Sequence, residues 1–264
     1  SSRHFPRLSQ VRTPYVVRCT MGVRRTIVKA YQGPRRAVTV NEQHQVSSDA
    51  GLSKRRVAIE AIRLADSEGV DGLSMRRLAG VLGKGAMSLY HYVANKEELL
   101  DAMVDLVFEE IDLPPEGVDW QEAMRRRAQS ARQVLARHPW AIGLLESRTS
   151  PGFATLRHHE AVIACLRKAG FSVEMATHAN WLIDSCVYGY ALQEASLPFD
   201  TADELAELAE SVYLPQIPPE EFPYLSESAA ALVGTGYDPA QEFIFGLDLV
   251  LAALESLRVG ALGP

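Results

Sequence analysis

The sequence predicts an all-α protein in two units, a small N-terminal one and a larger helical body. Three observations carry that reading. From Ser53 onward apolar residues recur three and four positions apart, the spacing of a helix face. No stretch alternates polar and apolar residues between turn signals, so no sheet is expected. Pro114, Pro115 and Gly117 interrupt the pattern once, between a compact cluster of short helical segments and a long helical remainder. The expected units are an arm over 1–53, a first domain over 54–100 and a second over 101–264.

The elements follow in order. Residues 1–53 show neither period. They are rich in Arg, Ser, Thr and Gln, with Pro6, Pro14 and Pro34 among them, and are expected to form a basic, disordered arm. A first helix starts after Ser53, whose hydroxyl suits an N-cap. Val57, Ile59, Ala61, Ile62 and Ala65 give it an apolar side, and Gly69 stops it. Asp71-Gly72 turns the chain. Ser74 caps a second, short helix carrying Leu78, Ala79 and Leu82, which Gly83 ends after barely two turns. Lys84-Gly85 connects tightly to a third short helix over 86–93. Asn95 caps a long fourth helix beginning at Lys96, with Leu99, Leu100, Met103, Val104 and Val107 as its apolar positions. Beyond 112–117, helices are expected over 120–137, 154–169, 173–195, 202–213, 224–233 and 239–257. The last is signalled by Asp238 as N-cap, Pro239 at the first helical position and Gln241 at the capping-box position.

Charge is distributed unevenly. The net charge of −6 divides into +7 over residues 1–53, +4 over 54–96 and −17 over the remaining 168 residues. A basic first third on an acidic body suits a protein of which one end meets a polyanion; an ordinary solvated surface stays open as the alternative. No apolar run approaches the roughly 20 residues of a membrane span, and the N-terminus lacks the shape of a signal peptide. Cys19, Cys165 and Cys186 form neither a disulfide framework nor a metal-binding spacing, so a reducing cytoplasm is expected.

Two short helices joined by a glycine-containing turn, with supporting helices on either side, are a helix-turn-helix arrangement. The second short helix must present polar groups to the DNA major groove while its inner face locks against its neighbours. Leu89 and Val93, four apart, face inward; Met87, Ser88, Tyr90 and His91 then face outward. Arg76 and Arg77 on the preceding helix, and Lys96 at the head of the next, are placed for phosphates. The amide groups at the start of that next helix add positive dipole. Taken singly, each of these side chains also reads as a solvated cation or a core aromatic, and only the combined pattern favours DNA.

The stretch from Arg63 to Leu100 resembles the DNA-binding domain of the tetracycline-repressor (TetR) family. The resemblance rests above all on Leu73-Ser74-Met75-Arg76-Arg77-Leu78-Ala79, Leu82-Gly83, Ser88-Leu89-Tyr90-His91-Tyr92-Val93 and Asn95-Lys96-Glu97-Glu98-Leu99-Leu100-Asp101-Ala102. Trp120-Gln121, His138-Pro139-Trp140 and Gly170-Phe171-Ser172 are similar to the C-terminal domain of the same type. The resemblance implies an all-helical homodimer with a ligand-binding and dimerisation domain, and most members are repressors released from an operator by a small molecule. Carried over by position, the base-contacting region falls on Ala86, Met87, Ser88 and Tyr90, with His91 and Tyr92 close to the DNA backbone. The phosphate anchors fall on Ser74, Arg76 and Lys96. The sequence departs from the tetracycline repressor at the position of the magnesium-binding histidine, which holds Leu145. The drug-binding asparagine falls on Arg127 and a pocket phenylalanine on Ala131, so a magnesium–tetracycline inducer is not expected.

In the body, Trp140, Phe153, Trp181 and Tyr188 are aromatics able to stack on a flat hydrophobic ligand, and His178, Asn180 and Gln193 are able to orient it. The helix over 173–195 is apolar nearly all round, as a helix buried on several sides is. Whether its polar residues line a cavity, sit at a dimer seam or are satisfied core groups stays open. Gly189 and Gly246 suit close helix–helix approach; the resemblance places both helices in a dimer bundle. His158-His159-Glu160 does not read as a metal site, because neighbours on a helix point about 100° apart; a solvated helix face is expected. No nucleophile elbow, phosphate loop or His-Glu-x-x-His is present, so catalytic residues, a metal and a cofactor are not expected. The reading is a ligand-responsive regulator, a repressor by the family's habit. It binds a double-stranded palindromic operator as a homodimer and is released by a small hydrophobic or aromatic molecule such as an antibiotic or polyketide. The alternatives are a helical small-molecule enzyme or carrier and a ligand-independent structural DNA-binding protein.

Overall fold

A computed structural model describes residues 52–199, 201–235 and 237–260, and they contain ten α-helices and no strand. The basic arm expected over 1–53 lies outside the described residues up to position 51. Helix α1 (Lys54–Glu68) starts at Ser53, whose hydroxyl accepts from Arg56 N. Helix α2 (Met75–Val81) starts at Ser74, which accepts from Arg77 N. Helix α3 (Ala86–Leu89) is a single turn, and α4 (Lys96–Glu110) starts at Asn95, which accepts from Glu98 N at 2.8 Å. The sequence expected α3 to run to Val93. Past Leu89 the amide of Tyr92 bonds back only three residues, so the coil tightens into a turn there.

Gly83 shapes the step from α2 to α3. Its φ of +63° lies in the left-handed region that glycine adopts without strain. That conformation lets Lys84 N reach Ala79 O at 2.9 Å and Gly83 N reach Gly80 O at 3.1 Å, which satisfies the last carbonyls of α2. Leu73, Leu78, Leu89 and Val93 then meet Val57, Ala61 and Leu99 in a closed core, all at most 1% exposed.

The body comprises α5 (Trp120–Arg137), α6 (Phe153–Lys168), α7 (Val173–Ser196), α8 (Ala202–Leu208), α9 (Pro223–Thr235) and α10 (Pro239–Gly260). Helix α7 packs against α5, α6 and α10, which explains its apolar circumference. A second core of Val104, Val107, Phe108, Met124, Leu135, Val162, Leu166, Phe171, Ile183, Val187 and Leu247 fills the space between them. Helix α8 was expected to run to 213; it is α-helical to Leu208 and continues as a wider π turn over Ala209–Tyr213.

Head and body are joined by polar contacts as well as by α4. Asp66 on α1 accepts from His138 Nδ1 at 2.7 Å and from Trp140 Nε1 at 2.6 Å. Asp105 on α4 accepts from the amide and hydroxyl of Thr155 at 2.8 and 2.9 Å, holding the start of α6. The chain passes so close at Gly152 that a Cβ there would stand 2.1–2.4 Å from the Asp105 carboxylate, so only glycine fits. Trp140 and Leu144 touch both cores.

Candidate nucleic-acid interface and buried polar core

The outer surface of α3 is set by what its inner side buries. Leu89 and Val93 are buried, which turns Met87, Tyr90 and His91 into solvent; Met87 is 77% exposed and Tyr90 44%. Ala86, Ser88 and Tyr92 are half-buried at the same edge. The Ser88 hydroxyl donates to Gly85 O at 2.7 Å, so what it offers outward is an acceptor. Ser74 has its oxygen committed to the α2 cap. Arg77 pairs with Glu68, which moderates its charge towards a phosphate. Arg76 and Lys96 are exposed with no ion-pair partner among the described residues. Lys84, in the turn between α2 and α3, is exposed and unpaired in the same way; sequence reasoning treated it only as part of a connection.

A buried polar core lies between α5, α6 and α7. Arg127 is 2% exposed. Its Nη1 donates to Asp184 Oδ1 at 2.5 Å and its Nε to His158 Nε2 at 2.9 Å. Burial opposes the guanidinium's charge, but Asp184 and Tyr188 outweigh burial and its pKa is raised. Desolvation of the carboxyl end, followed by the charge of Asp184, raises Glu146 above the usual carboxylate range although the residue as a whole is exposed, and the same two effects lift Tyr188 well above an ordinary phenol. Tyr188 donates to Glu146 Oε1 at 3.4 Å. His158, expected on a solvated face, is instead 1% exposed, because α6 is covered by α4, α5 and α7 together.

His158 accepts from a group that only donates, so its ring is neutral with the proton on Nδ1. Burial, then Arg127, lowers its pKa to about 2. Above about pH 6.5 the ring is neutral in folded and unfolded chains alike. Below that, the unfolded chain takes up a proton that the folded one refuses, and stability falls by about 1.4 kcal/mol per pH unit from this ring alone. His158→Gln keeps an acceptor for Arg127 and should flatten the acid limb by about one proton. Urea unfolding of both proteins between pH 6.5 and pH 4 checks this, and equal slopes would contradict it.

The residues expected to meet an effector are not all brought together. Asn180 is buried on α7 one turn before Asp184, and Tyr188, half-buried, bonds to Glu146 in the polar core. Trp181 is half-buried. Trp140 stands at the seam with the head, bonded to Asp66. Phe153 is 80% exposed at the start of α6, and His178 and Gln193 are exposed on α7. Leu145 is buried in the body core. Two surface recesses are open elsewhere. One, of about 520 Å³, runs between α1, α4 and the segment before α6; the other, of about 380 Å³, lies along Ala240, Gln241, Ile244 and Phe245. Sequence reasoning missed Glu146 and the joints through Asp66 and Asp105, and it did not pair His158 or Asp184 with Arg127. Their partners lie 31 to 74 positions away, beyond any periodic signal.

The same geometry recurs in known proteins. A family model described as "Tetracyclin repressor-like, C-terminal domain" matches residues 113–258. The HTH-type transcriptional repressor DrrR1 of Streptomyces coeruleorubidus is 33% identical over 216 residues, 78% of each chain. The class D tetracycline repressor protein of Escherichia coli is 28% identical over 209 residues, 78% of this chain and 90% of that one. Apo ActR from Streptomyces coelicolor superposes with a TM-score of 0.66 at 30% identity, covering 81% of this chain and all of that one. ActR in complex with actinorhodin gives 0.64 at 31% identity, over 79% and 99%. These curated relatives are transcriptional regulators, not enzymes, and no helix among the described residues is long and apolar enough to cross a membrane. The chain belongs to the tetracycline-repressor family of transcriptional regulators.

Proposed function

We propose that the protein is a homodimeric repressor that reads a palindromic operator with α2 and α3 and leaves it when a small aromatic molecule enters the body. The observation that carries the reading is the Ala86–Leu89 turn, which commits Leu89 and Val93 to the core and leaves Met87, Tyr90 and His91 facing outward. Ser88, Tyr90 and Met87 read bases, Ala86 fits closely against the groove, and His91 and Tyr92 approach the backbone. Arg76, Lys96 and Lys84 neutralise phosphates, with Arg77 and the Ser74 hydroxyl beside them. The site of action is the cytoplasm, where the DNA is.

Two exposed stripes support the dimer. On α7, His178, Leu182, Ser185, Gly189, Leu192 and Ser196 are all exposed and follow one another at three- and four-residue steps. On the neighbouring α10, Phe245, Leu249, Ala252 and Ser256 do the same. Leu182, Leu192, Phe245 and Leu249 are 47–64% exposed, too much contiguous apolar surface for a helix pair that meets only water. Two copies of this pair make a four-helix bundle, with Gly189 and the serines admitting close approach. His178 and Gln193 lie on or next to that stripe, so they serve the seam sooner than the effector.

Support for an effector comes from the polar core, where Tyr188 stands beside Arg127 and Asn180 is buried one turn before Asp184 on the same helix, and from a relative crystallised with actinorhodin. Trp140 touches both cores and bonds to Asp66 where the body meets the head. An effector acts only if it binds one spacing of the two heads better than the other. A differential of about 5.5 kcal/mol moves a population from 99:1 to 1:99. The joints at Asp66 and Asp105 give the body a grip on α1 and α4. A thermal-shift screen of neutral and anionic aromatic compounds, followed by operator release, tests this. A hit should raise the melting temperature and detach DNA; a tight binder that leaves DNA affinity unchanged would contradict the switch.

A further inference from the structure

At the edge of the polar core the body brings together three side chains to which the proposed function gives no direct role. Glu146 comes from the irregular segment before α6, His159 from α6 and Asp184 from α7. A carboxylate oxygen of each acid and a ring nitrogen of His159 lie within 4.8 Å of one another. We propose that Glu146, His159 and Asp184 bind one divalent transition-metal ion of the zinc or cobalt class.

Each of the three is already oriented by a partner outside the group. His159 Nδ1 donates to Thr155 O at 2.8 Å, which fixes the tautomer and leaves Nε2 with its lone pair free. Arg127 holds one oxygen of Asp184 at 2.5 Å and leaves the other available. The Tyr188 hydroxyl holds Glu146 at 3.4 Å. Imidazole and carboxylate ligands steadied by hydrogen bonds from a second layer are the construction of protein metal sites. One nitrogen with two oxygens suits zinc or cobalt better than magnesium, which prefers oxygen alone.

The charges agree with this. Two carboxylates face a single guanidinium, so one negative charge lacks a fixed counterpart. Arg127 repels an incoming cation, which makes the site weaker than one built from the same ligands alone. His158 Nδ1, in the polar core beside the group, and Asn180 Oδ1, buried one turn before Asp184 on α7, have no hydrogen-bond partner among the described residues. Donors around a tetrahedral zinc ion stand about 3.4 Å apart, so the group must contract by up to roughly 1.4 Å. Glu146 is exposed and lies outside any α-helix, and it is the ligand free to make that movement.

The test is calorimetric titration of the untagged, chelator-stripped full chain with zinc alone, and with cobalt alone followed by its visible spectrum. The expected result is one ion per protomer, with magnesium failing to compete. Glu146→Gln and His159→Gln should each weaken binding at least ten-fold, while Glu160→Gln, next to the site on α6, should not. Glu146 is exposed, so Glu146→Gln should keep the wild-type circular dichroism and remain a fair comparison. No saturable uptake of either ion, or uptake that Glu146→Gln and His159→Gln leave unchanged, would overturn the proposal.

Discussion

Arg127→Met should destabilise the protein by about 3–5 kcal/mol. The side chain is close to isosteric along its length, so little packing is lost. What is lost is the partner of a buried charge: Asp184, 5% exposed, would keep its carboxylate in the core without Arg127, and His158 Nε2 would lose its donor. Removing both charges together is a different experiment. Arg127→Met with Asp184→Leu replaces the pair by apolar groups, and such replacements are often neutral or stabilising. The double variant should therefore recover most of the loss. Urea unfolding at a fixed protomer concentration measures both, since dimerisation adds to apparent stability. A single variant that costs less than about 1 kcal/mol would mean that water already reaches Asp184.

Phe245→Glu should produce a folded monomer with operator affinity reduced by about 10²–10⁴-fold. Phe245 is 64% exposed in the single chain, so the substitution leaves the protomer's own core intact. In the proposed bundle it would bring carboxylates against an apolar stripe in a body that is already acidic. Each head would then meet its half-site alone and lose the effective concentration that the other half supplies. Sedimentation velocity gives the oligomeric state and operator titration gives the affinity. A Phe245→Glu protein that remains dimeric would place the seam elsewhere on α7 and α10.

The sequence was legible wherever the physics is local. Ser53, Ser74 and Asn95 were read as caps, and each accepts the expected amide. Gly83 was read as a stop, and it takes the left-handed conformation that stops α2. Leu89 and Val93 were read as inward-facing from their spacing, and both are buried. The length of α3 was not legible, because the three-residue bonds of His91 and Tyr92, which break the helix before Val93 returns to Leu89 O, leave no compositional trace. The polar core was least legible. Arg127 and His158 lie on amphipathic helices where a polar residue ordinarily means solvent, and Asp184 lies on α7, whose apolar circumference does not say which polar residue pairs with what. They are buried only because α4, α5, α6 and α7 converge there, a fact of tertiary packing. His159 is in the same position: its neighbour in sequence points elsewhere, while Glu146 and Asp184 reach it from 13 and 25 positions away.

The central claim is that this chain selects DNA sequence through α2 and α3 as a pair of heads. Incubating the purified full chain with a random duplex library, recovering the retained fragments and sequencing them tests it most directly. The expected result is a two-fold symmetric motif whose half-sites lie about 34–36 Å apart, one helical turn centre to centre, or a multiple of that turn. Selection should weaken at the contacted base, by about 1–3 kcal/mol, when Ser88→Ala or Tyr90→Phe is used instead. Retention with no common motif, or a motif unmoved by both substitutions, would contradict the account.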